Sequence, residues 1–142
     1  MRLNPKDNVQ TPAYIWKYVL DNFGDPFDPC PLNACPTTDG LKTPWQQLTY
    51  VNAPYSQQMA WTKKSYAEFR AGCTVVMLAK VGVVARGYFQ PFAADAELLF
   101  INHKIQFPGF PRPAMFTSVL IVWKPDNPRK GCFSIIDGRE SR

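Results

Sequence analysis

The sequence predicts an α/β fold with a mainly parallel sheet and flanking helices. Two patterns carry that prediction. Short, nearly continuous apolar runs at Leu48-Thr49-Tyr50-Val51, Cys73-Thr74-Val75-Val76-Met77-Leu78 and Leu98-Leu99-Phe100-Ile101 have the composition of strands covered on both faces. Helical patterns lie before and between them, as crossover connections require. The third observation is size. With 142 residues, 46% apolar and 19% charged, the chain has ordinary globular composition and about the length of one domain. We expect residues 1–124 to form the compact domain and 125–142 a polar, partly disordered tail.

Thr11-Pro12 reads as a helix start, with a hydroxyl cap and a proline at the first helical position. Ile15, Trp16, Val19, Leu20 and Phe23 then share one helical face, and Gly24 supplies the stop. Asp25-Pro26-Phe27-Asp28-Pro29-Cys30-Pro31 is too proline-rich for a central strand; it reads as a short strand breaking into a loop at Asp28. Residues 32–47 are loop-like, with Asp39-Gly40 as a turn and Trp45 as an anchor. The strand at Leu48 ends abruptly in Asn52-Ala53-Pro54-Tyr55. Ser56 can cap a helix running to about Ala71, with Met59, Ala60, Tyr66 and Ala67 facing inward and Gly72 ending it. After the apolar strand at 73–78, residues 86–96 are weakly helical around Pro91. Ile105-Gln106-Phe107 is expected as a short sheet extension, and a β-rich segment from Met115 to Trp123 closes the core.

Composition excludes several function classes. No apolar run approaches the roughly 20 residues that span a bilayer, and Met1 to Asp7 has no secretory character. A membrane or secreted protein is not expected. Sixteen Lys and Arg against eleven Asp and Glu give a charge of +5, which favours polyanionic partners. The four cysteines, Cys30, Cys35, Cys73 and Cys132, read as reduced thiols, too sparse for a disulfide scaffold and unsuited in spacing to zinc. His103 is the sole histidine and has no nucleophile elbow around it, which argues against a histidine-dependent hydrolase. Fourteen prolines, clustered in 26–44 and 108–113, make those stretches read as ordered loops with fixed turns, of a length that is usually functional or mobile.

In parallel sheets the ligand sits outside the carboxyl ends of the strands. Both unusual loops, at Asp28 and at Asn52, follow predicted strands. A strand ending in Asn52-Ala53-Pro54-Tyr55-Ser56 suits chemistry on an exocyclic base amine. Such an amine is a poor nucleophile while its lone pair is delocalised into the ring. The Asn52 side-chain oxygen and the Ala53 carbonyl can accept its two N–H bonds and free that pair, and Tyr55 offers a ring for an extruded base. The same residues also make an ordinary strand-ending turn.

The sequence resembles the S-adenosylmethionine-dependent amino-methyltransferases, in particular the small phage-type DNA N6-adenine methyltransferases (phage Dam family). The resemblance runs from about Thr11 to Trp123. It includes Thr11-Pro12 with Trp16, Phe27-Asp28-Pro29-Cys30, Asp39-Gly40 with Trp45, Val51-Asn52-Ala53-Pro54-Tyr55-Ser56, Trp61 and the strand at 75–78. It implies a reduced, Rossmann-like class I methyltransferase fold and methyl transfer from S-adenosylmethionine to adenine N6. Asn52, Ala53, Pro54 and Tyr55 match the family's catalytic motif. Asp28, Pro29 and Cys30 match its first cofactor loop, with the carboxylate facing the methionine portion or its amine. Thr11 and Pro12 match the segment that closes over the cofactor. Asp39 is the candidate for the ribose hydroxyls, the alternative being a plain Asp-Gly turn.

Arg86, Lys104 and Arg112, with Lys124, Arg129 and Lys130, are candidate phosphate contacts, against a solvated basic surface as the alternative. Nucleic acid, DNA ahead of RNA, is the implied partner. A homodimer or partner subunit, or low sequence selectivity, would make up for the small area left for recognition. The resemblance points to a phage or viral source and to the cytoplasm of the host. Two departures from the family pattern keep a weak or inactive cofactor- or nucleic-acid-binding module open as a rival. Ala53 replaces the first proline of the usual pair, which removes a rigid φ. The stretch at 79–86 is also more apolar than expected, and Asn102-His103-Lys104 stands where a Gly-Arg pair is common.

Overall fold

The computed structural model describes residues 10–30, 40–53 and 55–137. Helix α1 spans Ala13–Phe23 and buries Ile15 and Val19 against the sheet. It starts one residue later than the sequence suggests. Pro12 is the N-cap, and its carbonyl accepts from the Ile15 and Trp16 amides. Thr11 does not cap the helix; its hydroxyl serves the site described below. Gly24 ends α1 at φ +111°, a conformation open to glycine, and its N–H bonds the Val19 and Leu20 carbonyls.

Five strands form one sheet: β1 (Leu48–Asn52), β2 (Thr74–Lys80), β3 (Glu97–Ile101), β4 (Ser118–Trp123) and β5 (Phe133–Ile136). Their order is β1-β2-β4-β3-β5. The β1–β2 and β3–β5 pairs are parallel, whereas β4 runs antiparallel to both β2 and β3. Four strands therefore point one way and only β4 is reversed. Phe27 adds an isolated parallel bridge to Thr49 on the outer side of β1, so the expected short strand is reduced to one residue before the chain turns away at Asp28.

Each sheet face carries its own core. α1, Tyr50, Leu78, Ile101 and Leu120 occupy one face, joined by Ile105 and Phe107. These two residues form no strand: they are buried anchors of the loop that joins β3 to β4, with the Ile105 carbonyl accepting from the Ala114 amide. The other face is covered by helix α2 (Gln58–Arg70), the one-turn helices α3 (Val81–Val84) and α4 (Gln90–Ala93), and a 3-10 turn at Gly87–Phe89. The apolar run after β2 thus becomes a helix that buries Val83 in this core.

The inward face of α2 differs from the expected one. Met59, Ala60 and Ala67 are exposed and Tyr66 is half-buried, while Gln58, Trp61, Thr62, Ser65 and Phe69 are buried. Polar residues can occupy that face because they bond their own helix. Thr62 donates to the Gln58 carbonyl at 2.7 Å, and Ser65 to the Trp61 carbonyl at 2.7 Å. Ser56 does not cap α2; a 3-10 turn, Tyr55–Gln57, precedes it.

Residues 125–137 also depart from the expected polar tail. Asn127 and Arg129 bond Glu97 in β3, and β5 then pairs along β3 from Leu98 to Ile101. No helix among the described residues is long and apolar enough to cross a membrane.

Candidate active site

Because β1, β2, β3 and β5 point the same way, their carboxyl ends share one end of the sheet. Asn52 is the last residue of β1, and beside it lies a cavity of about 470 Å³ lined by Gln10, Thr11, Ala13, Trp16, Asp28, Cys30 and Asn52. That volume falls within the range of roughly 300–1,000 Å³ common to small-molecule sites. Four residues singled out from the sequence, Thr11, Asp28, Cys30 and Asn52, are 41 positions apart at the extremes and meet here.

The amide of Asn52 is fixed by a short relay. Its Nδ2 donates to Thr11 Oγ1 at 3.2 Å, and the Thr11 hydroxyl donates to the Tyr50 hydroxyl at 3.0 Å. With Nδ2 so engaged, Oδ1 is the accepting end of the amide. Tyr50 is fully buried two residues before Asn52, and Trp16 of α1 meets its ring edge-on at 5.3 Å. The same tryptophan lines the cavity wall.

Asp28 is placed by the bridge before it. The Phe27 amide donates to the Leu48 carbonyl, and the Phe27 carbonyl accepts from the Tyr50 amide, both at 2.9 Å. The Asp28 carboxylate then accepts from the Cys30 amide at 2.9 Å, closing the turn. Burial pushes the Asp28 carboxyl above its ordinary value, and the Cys30 N–H draws it part of the way back. A carboxylate held in a cavity against a desolvation cost can hold a cationic ligand group, whose charge would offset that cost.

Pro29 is buried, and the chain at Gly40 packs directly on it: a Cβ on Gly40 would overlap the Pro29 carbonyl oxygen and lie 2.9 Å from the Trp61 ring. Trp45 completes the clamp, donating from Nε1 to the Gly40 carbonyl at 2.8 Å and stacking on Trp61 at 6.1 Å. The Asp28 loop is thus backed by two tryptophans, and the anchoring role expected of Trp45 is seen directly.

Ala53 is 3% exposed and its carbonyl accepts from Gln58 Nε2 at 3.1 Å. It does not line the cavity, although a carbonyl oxygen keeps a second lone pair. Pro54 and Asp39 lie outside the described residues, as does the side chain of Tyr55, which opens the 3-10 turn. Pro12 is buried behind Thr11 as the cap of α1 and is not part of the cavity wall.

Arg86, Lys104 and Arg112 are exposed in connections that leave the carboxyl ends of β2 and β3, the end that also carries Asn52. Lys124, Arg129 and Lys130 sit at the opposite end, after the last residue of the reversed strand β4. Arg129 is moreover committed to Glu97 at 2.8 Å and to Ser134 at 2.8 Å, and Lys130 lies over the Phe69 ring.

Sequence reasoning missed Trp16, Tyr50 and Gln58 as parts of the site. Trp16 and Tyr50 read as core residues, which they also are. Gln58 carries a signal in hindsight: an amide stands where the helix turns toward the sheet.

A family model described as DNA N-6-adenine-methyltransferase (Dam) matches residues 2–140. No curated protein and no solved structure matches the chain.

Proposed function

The chain belongs to the DNA N-6-adenine-methyltransferase (Dam) family, and from that premise we propose that it transfers a methyl group from S-adenosylmethionine to adenine N6 in DNA at the Asn52 cavity. The observation that carries this reading is the meeting of Thr11, Asp28, Cys30 and Asn52 in one cavity at the carboxyl end of β1. A sheet with a single reversed strand and helices on both faces supports a reduced Rossmann-like methyltransferase fold.

The cavity residues fit the cofactor: Asp28 offers a half-buried carboxylate to its ammonium group, Trp16 an aromatic wall, and Thr11 a hydroxyl. When bound, S-adenosylmethionine supplies a methyl group on a cationic sulfur open to in-line displacement, so the protein's task is alignment more than acid–base catalysis. Asn52 Oδ1 and the second lone pair of the Ala53 carbonyl accept the two N6–H bonds. Both acceptors bias the amine toward a geometry with its lone pair free of the ring. Thr11 holds the Asn52 amide in the rotamer that presents Oδ1. Tyr55 takes the stacking role against the extruded base, and Asp39 the ribose hydroxyls. Arg86, Lys104 and Arg112 receive the DNA backbone at the same end of the sheet.

The test is mass spectrometry of nucleosides after incubating DNA and RNA with the protein and S-adenosylmethionine. N6-methyldeoxyadenosine from DNA is the expected product. Cofactor binding with no methylated nucleoside from either polymer would overturn the enzymatic reading in favour of a binding module, and product from RNA alone would move the substrate.

A further inference from the structure

Residue 53 decides where one of the two proposed acceptors points. An alanine before Pro54 keeps to extended backbone but has a wider range of φ than a proline ring, which would hold it near −65°. The structure supplies a constraint of another kind. Gln58, the first residue of α2, donates from Nε2 to the Ala53 carbonyl at 3.1 Å inside the protein. Gln58 is 8% exposed and takes an inward position where an apolar side chain would pack at no polar cost. Its backbone is tied down in turn, since its carbonyl accepts from the Thr62 hydroxyl, which also contacts the Met77 sulfur of β2 at 3.8 Å. The amide is therefore mounted on a rigid helix and reaches back across five residues to one atom of the loop after β1.

We propose that Gln58 is a positioning residue for methyl transfer, fixing the Ala53 carbonyl by a hydrogen bond in place of a rigid ring. The proposal rests on the reading of Asn52 and Ala53 as amine acceptors. The bond uses one lone pair of the oxygen and holds the carbonyl in one orientation, leaving the second lone pair as the acceptor assigned to the amine. Because the bond is to the protein and not to substrate, its loss acts on the rate of the chemical step and leaves binding alone.

The experiment compares wild type, Gln58→Ala, Gln58→Glu, Ala53→Pro and the double variant Gln58→Ala/Ala53→Pro. Each is assayed for methylation of adenine-containing duplex DNA, with S-adenosylmethionine affinity measured by calorimetry. Losing one positioning bond is expected to lower kcat about tenfold in Gln58→Ala. The KM for DNA and the cofactor Kd should stay within about twofold of wild type. Ala53→Pro in the Gln58→Ala background should recover most of the lost kcat, which a purely structural role for Gln58 would not allow. Gln58→Glu keeps the shape of the side chain but turns an acceptor toward the carbonyl, so its kcat should fall further; it also stands in if the alanine variant does not fold. Unchanged kcat in both Gln58 variants, or an equal loss in Gln58→Ala and the double variant, overturns the proposal alone. A wild-type protein that methylates no adenine overturns the activity beneath it, and the proposal with it.

Discussion

The two ends of the sheet are built on opposite plans. At the amino ends of β1, β2 and β3, polar groups satisfy one another. Arg129 bonds Glu97, Ser134 and the Phe133 carbonyl, Asn127 bonds the same Glu97, and Lys130 rests on the Phe69 ring. At the carboxyl ends, Lys104 and Arg112 are exposed and form no ion pair among the described residues, while Asp28 is half-buried in a cavity beside Asn52. One end commits its charge to holding the fold; the other leaves its cations exposed. The contrast teaches that net charge alone says little: of the six basic residues marked from the sequence, Arg129 and Lys130 are tied into the fold, and both sit at the amino ends.

The largest effect expected on this contrast comes from Asn52→Ala. Removing a group aimed at the reacting amine should cost about 10²–10³-fold in kcat. Calorimetry should show S-adenosylmethionine affinity within about twofold of wild type; a variant with full activity would remove Asn52 from the mechanism. Asp28→Asn comes next. A hydrogen bond to a charged group contributes about 1.5–3 kcal/mol, so cofactor affinity should fall roughly tenfold or more. The same change should leave the unliganded protein as stable or slightly more stable at neutral pH. Burial raises the folded-state value of Asp28, so the stability that its neutral form contributes is complete below the ordinary carboxylate range and is lost as pH rises through the raised value. Melting temperatures of wild type and Asp28→Asn should converge in acid and separate above that window.

Smaller effects compare the cations at the two ends. Lys104→Ala/Arg112→Ala should weaken DNA binding several-fold at low salt and lower the salt slope by about two, whereas Lys124→Ala should leave both unchanged; filter binding at several salt concentrations distinguishes them. Equal losses at both ends would dissolve the contrast. Arg129→Ala is the smallest in function and is read in stability instead. It leaves a mostly buried Glu97 with fewer partners, so a loss of about 1 kcal/mol should appear in urea unfolding with kcat unchanged.

Much of the frame was legible because it rests on local signals. Apolar runs marked β1, β2 and β3, and a single periodic stripe with a glycine stop marked α1. The meeting of Asp28 and Asn52 in one cavity was also legible, since parallel strands gather their carboxyl ends. What escaped depends on tertiary partners. The buried face of α2 was hidden because Thr62 and Ser65 look solvent-loving until their hydroxyls fold back on the helix. Strand β5 alternates exposed and half-buried residues, Phe133 and Ile135 outward, and has meaning only beside β3, more than thirty positions earlier. Thr11 reads as a cap by every local rule, yet its hydroxyl is claimed by Tyr50 across 39 positions.

That one hydroxyl couples two parts of the molecule. Thr11 Oγ1 accepts a hydrogen bond from Asn52 and donates one to Tyr50, so one atom of the amino-terminal segment joins two residues of β1. Removing that oxygen alone, as in Thr11→Val, takes a partner from both side chains in one change, so a lesion in the amino-terminal segment is felt at the end of β1.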